Sequence, residues 1–248
     1  MSLDRRDFLK TGALLGGAAG LGLPFAPRAL AAQAVTARVA IERADAPLRI
    51  LILGGTRFLG PALVDYAMAR GHTITLFNRG RSNPGLFPTA EKLLGDRDAP
   101  DGYAALGGSR TWDVVIDVPT TLPRWVTGAA DALASKTNHY MFVSTISVFR
   151  DYSQPGIDEN GPLHTPGDPL ARSMGQTPDT QYGPLKVRSE MIAQERFGAN
   201  LTIVRPGLIV GPGDLSDRFS YWPVRIEKGG EVMAPGTPDD PTQYVDVR

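Results

Sequence analysis

The chain has no cysteine, which removes disulfides, thiolate metal sites and cysteine nucleophiles together. Histidine is scarce: His72, His139 and His164 lie far apart without ligand spacing, so no metal site is expected and each reads as a turn or surface residue. No charge of one sign dominates. With 26 basic and 26 acidic residues the formal net charge is zero, and no overall field would draw in nucleic acid or an anionic membrane. A long apolar run is also missing. The mildly apolar stretch 11–25 is short, rich in glycine and interrupted by Pro24, so no stable membrane anchor is expected. What remains is an ordinary globular composition, 42% hydrophobic and 21% charged. Over 248 residues it suits one large domain, or one with a small appendage.

The N-terminus reads as an address. Asp4-Arg5-Arg6-Asp7-Phe8-Leu9-Lys10 precedes the apolar stretch, and Ala29-Leu30-Ala31 fits a small-x-small cleavage site. The paired arginines followed by Phe-Leu-Lys resemble a twin-arginine export signal, so the export machinery is an expected partner and the expected location is periplasmic or extracellular. Residues 1–31 are expected to be the signal peptide, with Ala32-Gln33-Ala34 a second place to cut, and 32–46 a linker. The twin-arginine route carries proteins that fold before crossing, often around a cofactor.

The organising stretch comes next. In Arg49-Ile50-Leu51-Ile52-Leu53-Gly54-Gly55-Thr56-Arg57-Phe58-Leu59-Gly60 an apolar strand stops at two glycines and a helical pattern begins. Strand, glycine turn, helix is the order that presents backbone amides to a pyrophosphate. Gly54 allows the turn, Gly60 lets the helix approach the sheet, and Thr56, Arg57, Phe58 and Leu59 lie where the phosphates would meet the helix start. A second strand, 73–78, runs into Asn78-Arg79-Gly80-Arg81. An acid at this strand end would receive the ribose hydroxyls of NAD, whereas arginine accommodates a 2′-phosphate. Arg79 and Arg81, with Arg57, therefore favour NADP over NAD, since guanidinium binds phosphate bidentately.

Further strand and helix patterns predict an α/β fold, a Rossmann-type doubly wound parallel sheet over residues 47–248. Strands are expected at 91–95, 112–118, 138–143 and 201–204, a helix at 123–134, and a final strand near 243–247. Asp96 at a strand end is placed either to accept from the adenine amino group or to form a plain surface turn, and Val118 to border the cofactor. Residues 150–178 form a long stretch rich in Gly, Pro and Asp, expected to be a functional loop. A helix starting near Gln181 then carries Tyr182 and Lys186 at i and i+4 on one face. An ammonium beside a phenol lowers its pKa, and the phenol can then exchange a proton with a hydroxyl or carbonyl while hydride moves at a nicotinamide. A strand-end hydroxyl, Thr145 or Ser144, would orient the same oxygen.

From about Leu48 onward the chain resembles the extended short-chain dehydrogenase/reductases, the NAD-dependent epimerase/dehydratase family. The motifs are Gly54-Gly55-Thr56-Arg57-Phe58-Leu59-Gly60, Ser144-Thr145, Tyr182-Gly183-Pro184-Leu185-Lys186 and Arg205-Pro206-Gly207. The resemblance implies that Tyr182 is the acid/base and that Lys186 binds the nicotinamide ribose and tunes Tyr182. It implies that Thr145 is the catalytic hydroxyl and that Pro206 and Gly207 face the nicotinamide. It further implies a small-molecule substrate, sugar-like or another carbonyl or hydroxyl compound, and a helix-mediated homodimer. Arg57 stands where the family usually has its central glycine, a variant that also resembles an atypical branch containing the chloroplast stem-loop-binding proteins. A non-catalytic nucleotide-binding protein, a sensor or an RNA-associated relative, is therefore the alternative expectation. The family continues past the Val245-Asp246-Val247 strand into a substrate lobe. Here that lobe, within 150–180 and 206–248, is expected to be small, the sequence being either a fragment or one with a reduced substrate pocket.

Overall fold

In a computed structural model the described residues are 41–118, 122–151, 155–167, 179–234, 236, 237, 239, 240 and 242–248. The expected signal peptide, most of the expected linker and much of the long loop lie outside them. The chain divides into Met1–Ile41, of which only Ile41 is described, and Glu42–Arg248. The larger unit includes the last expected linker residues: the Ala44 N–H donates to the Arg70 carbonyl (2.9 Å).

Six parallel strands form its main sheet in the order β3-β2-β1-β4-β5-β6. They are β1 (Arg49–Leu53), β2 (Thr73–Asn78), β3 (Glu91–Leu94), β4 (Trp112–Asp117), β5 (Thr137–Val143) and β6 (Leu201–Val204). Helix α1 (Leu59–Ala69) crosses from β1 to β2, α2 (Pro123–Leu133) from β4 to β5, and α3 (Asp179–Phe197) from β5 to β6. Every parallel pair needs such a crossover, and helices on both faces bury both sides of the sheet. The period of two in β1 shows the result. Ile50 and Ile52 pack on the α1 side with Val64, Ala67 and Leu76, whereas Leu51 and Leu53 pack on the other side with Val126, Ala130, Tyr140 and Phe197.

After β6 the chain forms β7 (Leu208–Val210), α4 (Tyr221–Glu227) and β8 (Tyr244–Asp246). Strands β7 and β8 pair in a separate two-stranded parallel sheet, with Leu208 opposite Tyr244 and Val210 opposite Asp246. The sequence pattern predicts β8 but not β7, because Leu208-Ile209-Val210 is short and lies between the Pro206-Gly207 and Gly211-Pro212-Gly213 turn signals. Among the described residues no helix is long and apolar enough to cross a membrane.

Register aligns the carboxyl ends of the strands. Leu53 lies opposite Phe77 and Asp117, Asn78 opposite Leu94, Asp117 opposite Phe142, and Val143 opposite Val204. The segments just beyond these ends, starting at Gly54, Arg79, Gly95, Val118, Ser144 and Arg205, therefore share one edge. Strand order reverses at β1/β4, and the crevice outside that switch point is where an open α/β sheet binds ligands.

Candidate functional site

The glycine turn is built by close backbone contact. Gly54 (φ 104°) and Gly55 (φ 86°) occupy the left-handed region, which costs a side-chain-bearing residue energy. A Cβ on Gly60 would lie 2.5 Å from the Gly55 carbonyl carbon, so only glycine lets the first turn of α1 sit on the loop. The Gly54 N–H donates to the Phe77 carbonyl (2.8 Å), joining the turn to β2. Phe58 precedes α1 at φ 41°, and Thr56 is buried.

A cavity of about 280 Å3 opens beside this turn. Of the expected cofactor residues, Gly54, Thr56, Arg57, Asn78, Arg79, Asp96 and Val118 line it, whereas Phe58, Leu59, Gly60, Lys186, Pro206 and Gly207 do not. The Asn78 side chain is engaged in shaping the wall: its Nδ2 donates to the Gly54 carbonyl (2.9 Å), and its Oδ1 accepts from the Gly80 N–H (2.8 Å). Asp96 caps its own turn, its Oδ1 accepting from the Asp98 N–H (3.2 Å). The floor includes residues without an expected role, above all Arg97 and Trp125.

Arg97 forms a bidentate ion pair with the fully buried Asp117, at 2.7 and 2.9 Å. Its Nε donates to the Tyr103 hydroxyl (3.0 Å), its Nη2 to the Trp125 carbonyl (3.0 Å), and its guanidinium lies 5.4 Å from the Trp125 ring centroid. The Tyr140 hydroxyl completes the set by donating to Asp117 Oδ2 (2.6 Å). Burial works against the Arg97 charge, but Asp117 outweighs it and holds the pKa above the ordinary arginine value. Asp117 offered a signal for this partner, being an acid at the end of the apolar run Trp-Asp-Val-Val-Ile-Asp-Val, where an unpaired charge would be costly. Above the floor, the Trp125 Nε1–H donates to Asp98 (2.8 Å) and Arg124 pairs with the same carboxylate. Burial raises the Asp98 pKa, yet these bonds and the Arg79 charge leave it below its ordinary value.

At the end of β5 the two adjacent hydroxyls separate in role. Thr145 caps a short 3-10 helix, Ile146–Val148, its Oγ1 accepting from the Ser147 N–H (3.1 Å) and donating to the Ser147 hydroxyl (3.2 Å), and it is close enough to the Tyr182 phenol to oppose the rise of its pKa. Ser144 instead donates to the buried carboxylate of Glu190. Gly183 makes the Thr145–Tyr182 approach sterically feasible, since a Cβ there would lie 2.2 Å from the Ser147 carbonyl oxygen. Nothing in the sequence distinguishes that glycine from a simple helix weakness.

Lys186, 2% exposed, donates from Nζ to the Val143 carbonyl (2.6 Å) and lies 4.3 Å from the Phe142 ring centroid. Burial pushes its ammonium down to about 7. Tyr182 is 38% exposed, and partial desolvation raises its pKa, with Thr145 and the Arg218 charge opposing the rise. This differs from the expected phenol lowered by Lys186: the ammonium is held at the end of β5, and desolvation governs the phenol. Lys186, Thr145 and Tyr182 nevertheless occupy one corner of the sheet edge.

A second buried acid braces this corner. Arg205 binds Glu190 through Nε (3.1 Å) and Nη2 (2.8 Å), donates from Nη1 to the Glu159 carbonyl (2.8 Å), and lies 5.1 Å from the Phe149 ring centroid. The Pro206 carbonyl accepts from the Ile146 N–H (3.0 Å), so it stands beside Thr145 and away from the cavity. Gly207 packs against Gln243. Described parts of the long loop fold back onto the same corner, with the His164 N–H donating to the Val148 carbonyl (2.9 Å) and the Gly167 N–H to that of Pro184 (2.7 Å). The other histidines make structural contacts: His72 Nδ1 accepts from the Leu48 N–H (3.1 Å), and His139 Nε2 lies 2.8 Å from Thr202 Oγ1. No cluster of three potential metal ligands occurs among the described residues.

Comparison with known proteins gives two family matches. The model of the twin-arginine translocation pathway signal sequence matches residues 2–22, and that of the NAD dependent epimerase/dehydratase family matches residues 50–248. The N-terminus is thus a twin-arginine export signal. The chloroplast stem-loop binding protein of 41 kDa b from Arabidopsis thaliana is 28% identical over 208 residues, covering 78% of this chain and 50% of that protein. A UDP-glucose 4-epimerase structure superposes with a TM-score of 0.61 at 15% identity, over 80% of this chain and 68% of the other. The Bordetella bronchiseptica enzyme WbmG, solved in complex with NAD, gives 0.52 at 16% identity, over 68% of this chain and 56% of the other. At such identities the likeness is one of fold. The chain spans half the length of the curated relative it matches.

Proposed function

The chain belongs to the NAD-dependent epimerase/dehydratase family, and from that premise we propose that it is an exported NAD(P)-dependent oxidoreductase of the epimerase, dehydratase or reductase type, with NADP preferred. The observation that carries this reading is one sheet edge that sets a cavity beside the glycine turn, lined from the ends of β1, β2, β3 and β4, together with Tyr182 and Thr145 at the corner beyond β5.

The residues present fit a dinucleotide. Gly54 and Gly55 in the left-handed region let the backbone turn where a pyrophosphate would approach, and Gly60 lets α1 start against that turn. Arg57, Arg79 and Arg81 bring three guanidinium groups to the cavity, and no acid interrupts Asn78-Arg79-Gly80-Arg81-Ser82. Asp96 would take the adenine end, and Trp125 with Arg97 would wall it. Pro206, Gly207 and Lys186 would hold the nicotinamide half, with Phe58 and Leu59 at the helix start. Bound there, the cofactor supplies a hydride donor or acceptor.

The chain's own part is proton transfer and positioning. Tyr182, protonated at neutral pH, would donate its phenolic proton to a substrate carbonyl oxygen in reduction and recover it from a hydroxyl in the reverse direction. Thr145 would hold that oxygen by a second hydrogen bond. Lys186 would bind the ribose from its place at the end of β5. The substrate is a small hydroxyl or carbonyl compound, sugar-like or otherwise.

The test is a fluorescence titration of the mature chain with NADPH and NADH, followed by a carbonyl-substrate screen. NADPH should bind more tightly, and Arg79→Ala should weaken it. On a substrate so found, Tyr182→Phe should cut turnover by about 10²- to 10⁴-fold with cofactor affinity unchanged. Unchanged turnover would overturn the Tyr182 relay, and failure of a folded sample to bind either cofactor would overturn the cofactor assignment.

The Arabidopsis relative favours a second reading, a nucleotide-binding protein without turnover that associates with RNA. Arg57 in the glycine turn supports it, whereas the zero net charge provides no general attraction for phosphate chains. A gel shift with an RNA stem-loop at physiological salt decides: unshifted RNA removes this reading.

A further inference from the structure

The loop after β2 brings Arg79, Arg81 and Ser82 to the cavity wall, and both arginines are solvent-exposed. Long cations on an irregular loop make poor phosphate ligands unless the backbone beneath them is held, because ordering it on binding costs conformational entropy. Two asparagine side chains hold this loop, one at each end. Asn78 fastens the start through Gly54 and Gly80. Asn83 fastens the far end, its Nδ2 donating to the Thr56 carbonyl at 2.9 Å. Residues 79–82 are thus suspended between two contacts to backbone carbonyls of the same glycine turn. Asn83 lies at φ 47°, and its own carbonyl accepts from the Leu86 N–H (3.0 Å).

We propose that Asn83 is a specificity-positioning residue, a latch that holds Arg79, Arg81 and Ser82 against the glycine turn so that their donors converge on the 2′-phosphate of NADP. The proposal rests on the NADP reading of the cavity. Position 83 suits asparagine on two grounds. Asparagine tolerates left-handed backbone, and its amide places a donor on a carbonyl acceptor. Aspartate would share the backbone tolerance but present only acceptors to the Thr56 oxygen. Glycine would tolerate the same backbone and delete the side-chain latch, adding some freedom to the loop.

Asn83→Gly is therefore the discriminating variant, with Asn83→Asp as the second. Each is titrated with NADPH, NADH, 2′,5′-ADP and 5′-AMP, with folding checked by far-UV circular dichroism. Loss of one hydrogen bond that organises a charged site should weaken NADPH and 2′,5′-ADP about fivefold in Asn83→Gly, with NADH and 5′-AMP changed less than about twofold. Asn83→Asp should lose more, because it adds a negative charge near the phosphate as well as removing the donor. An unchanged NADPH-to-NADH ratio in both variants overturns the latch and leaves the NADP reading standing. Equal weakening of both cofactors also overturns it, since the contact would then shape the turn without reading the phosphate. A wild-type chain that does not prefer NADPH overturns the NADP reading, and the specificity role of Asn83 with it.

Discussion

Lys186 illustrates how a single buried charge couples stability to pH. Its ordinary pKa is 10.5, and burial lowers it to about 7 in the folded chain. Between these values the unfolded chain binds a proton that the folded chain does not, so stability rises with pH through this window. Below about pH 7 the full cost of burying the ammonium is present. In the cofactor-free protein the urea midpoint should therefore climb between about pH 7 and 10.5, and Lys186→Met should flatten that climb. Equal slopes in the two proteins would mean that the ammonium is solvated. The i, i+4 spacing of Tyr182 and Lys186 was legible in the sequence. The Val143 carbonyl that holds Nζ was not, because backbone acceptors carry no residue signature. Ser144 and Thr145 show the same limit: adjacent and chemically alike, they are separated by which one faces Glu190.

At the scale of the element, α3 is aimed by a missing side chain. Gly183 sits in its first turns, where glycine costs helix stability, but there a Cβ would collide with the Ser147 carbonyl oxygen at 2.2 Å and approach His164 Cδ2 at 3.0 Å. Gly183→Ala should push this turn off the Ile146–Val148 helix and part Tyr182 from Thr145. Turnover on the substrate from the screen should fall by up to about 10²-fold, since a displacement near 1 Å can cost that much. NADPH affinity should fall much less than turnover, because no α3 residue lines the cavity and only the Lys186 contact to the nicotinamide half would shift. Stopped-flow turnover and equilibrium titration of the same sample check both, and preserved turnover would show that the helix accommodates the methyl group. The roles of Gly60 and Gly183 differ in legibility. Gly60 falls in a recognisable strand–turn–helix pattern, whereas Gly183 is constrained by a segment 36 residues earlier that periodicity cannot connect to it.

At the scale of the molecule, the export signal and the dinucleotide fold belong to one chain. The twin-arginine route admits folded cargo, so loading a nucleotide before export and working with it afterwards are compatible. Replacing Arg5 and Arg6 together by lysine should retain the protein in the cytoplasm, which cell fractionation and retention of the uncut signal would reveal. Export of the double variant would show that another route carries it. Fold topology was largely legible at this scale: strands ending in glycine or polar residues and separated by crossover-length segments leave few arrangements. The small β7–β8 sheet was less so, because it joins three-residue segments that are far apart in the chain.

The amino-acid sequence by itself determined the export signal, the parallel α/β sheet, the glycine turn and the spacing of Tyr182 and Lys186, because each is written in local pattern: charge followed by apolar residues, strand period, turn chemistry and helix repeat. Only the tertiary structure decided that Arg97 is neutralised by Asp117 beneath the cavity, that Thr145 and not Ser144 meets Tyr182, and that Asn83 joins the arginine loop to Thr56. Those contacts link residues distant in the chain or set one neighbour against another. They arise from register and close packing, which place side chains in space according to what the whole sheet brings together.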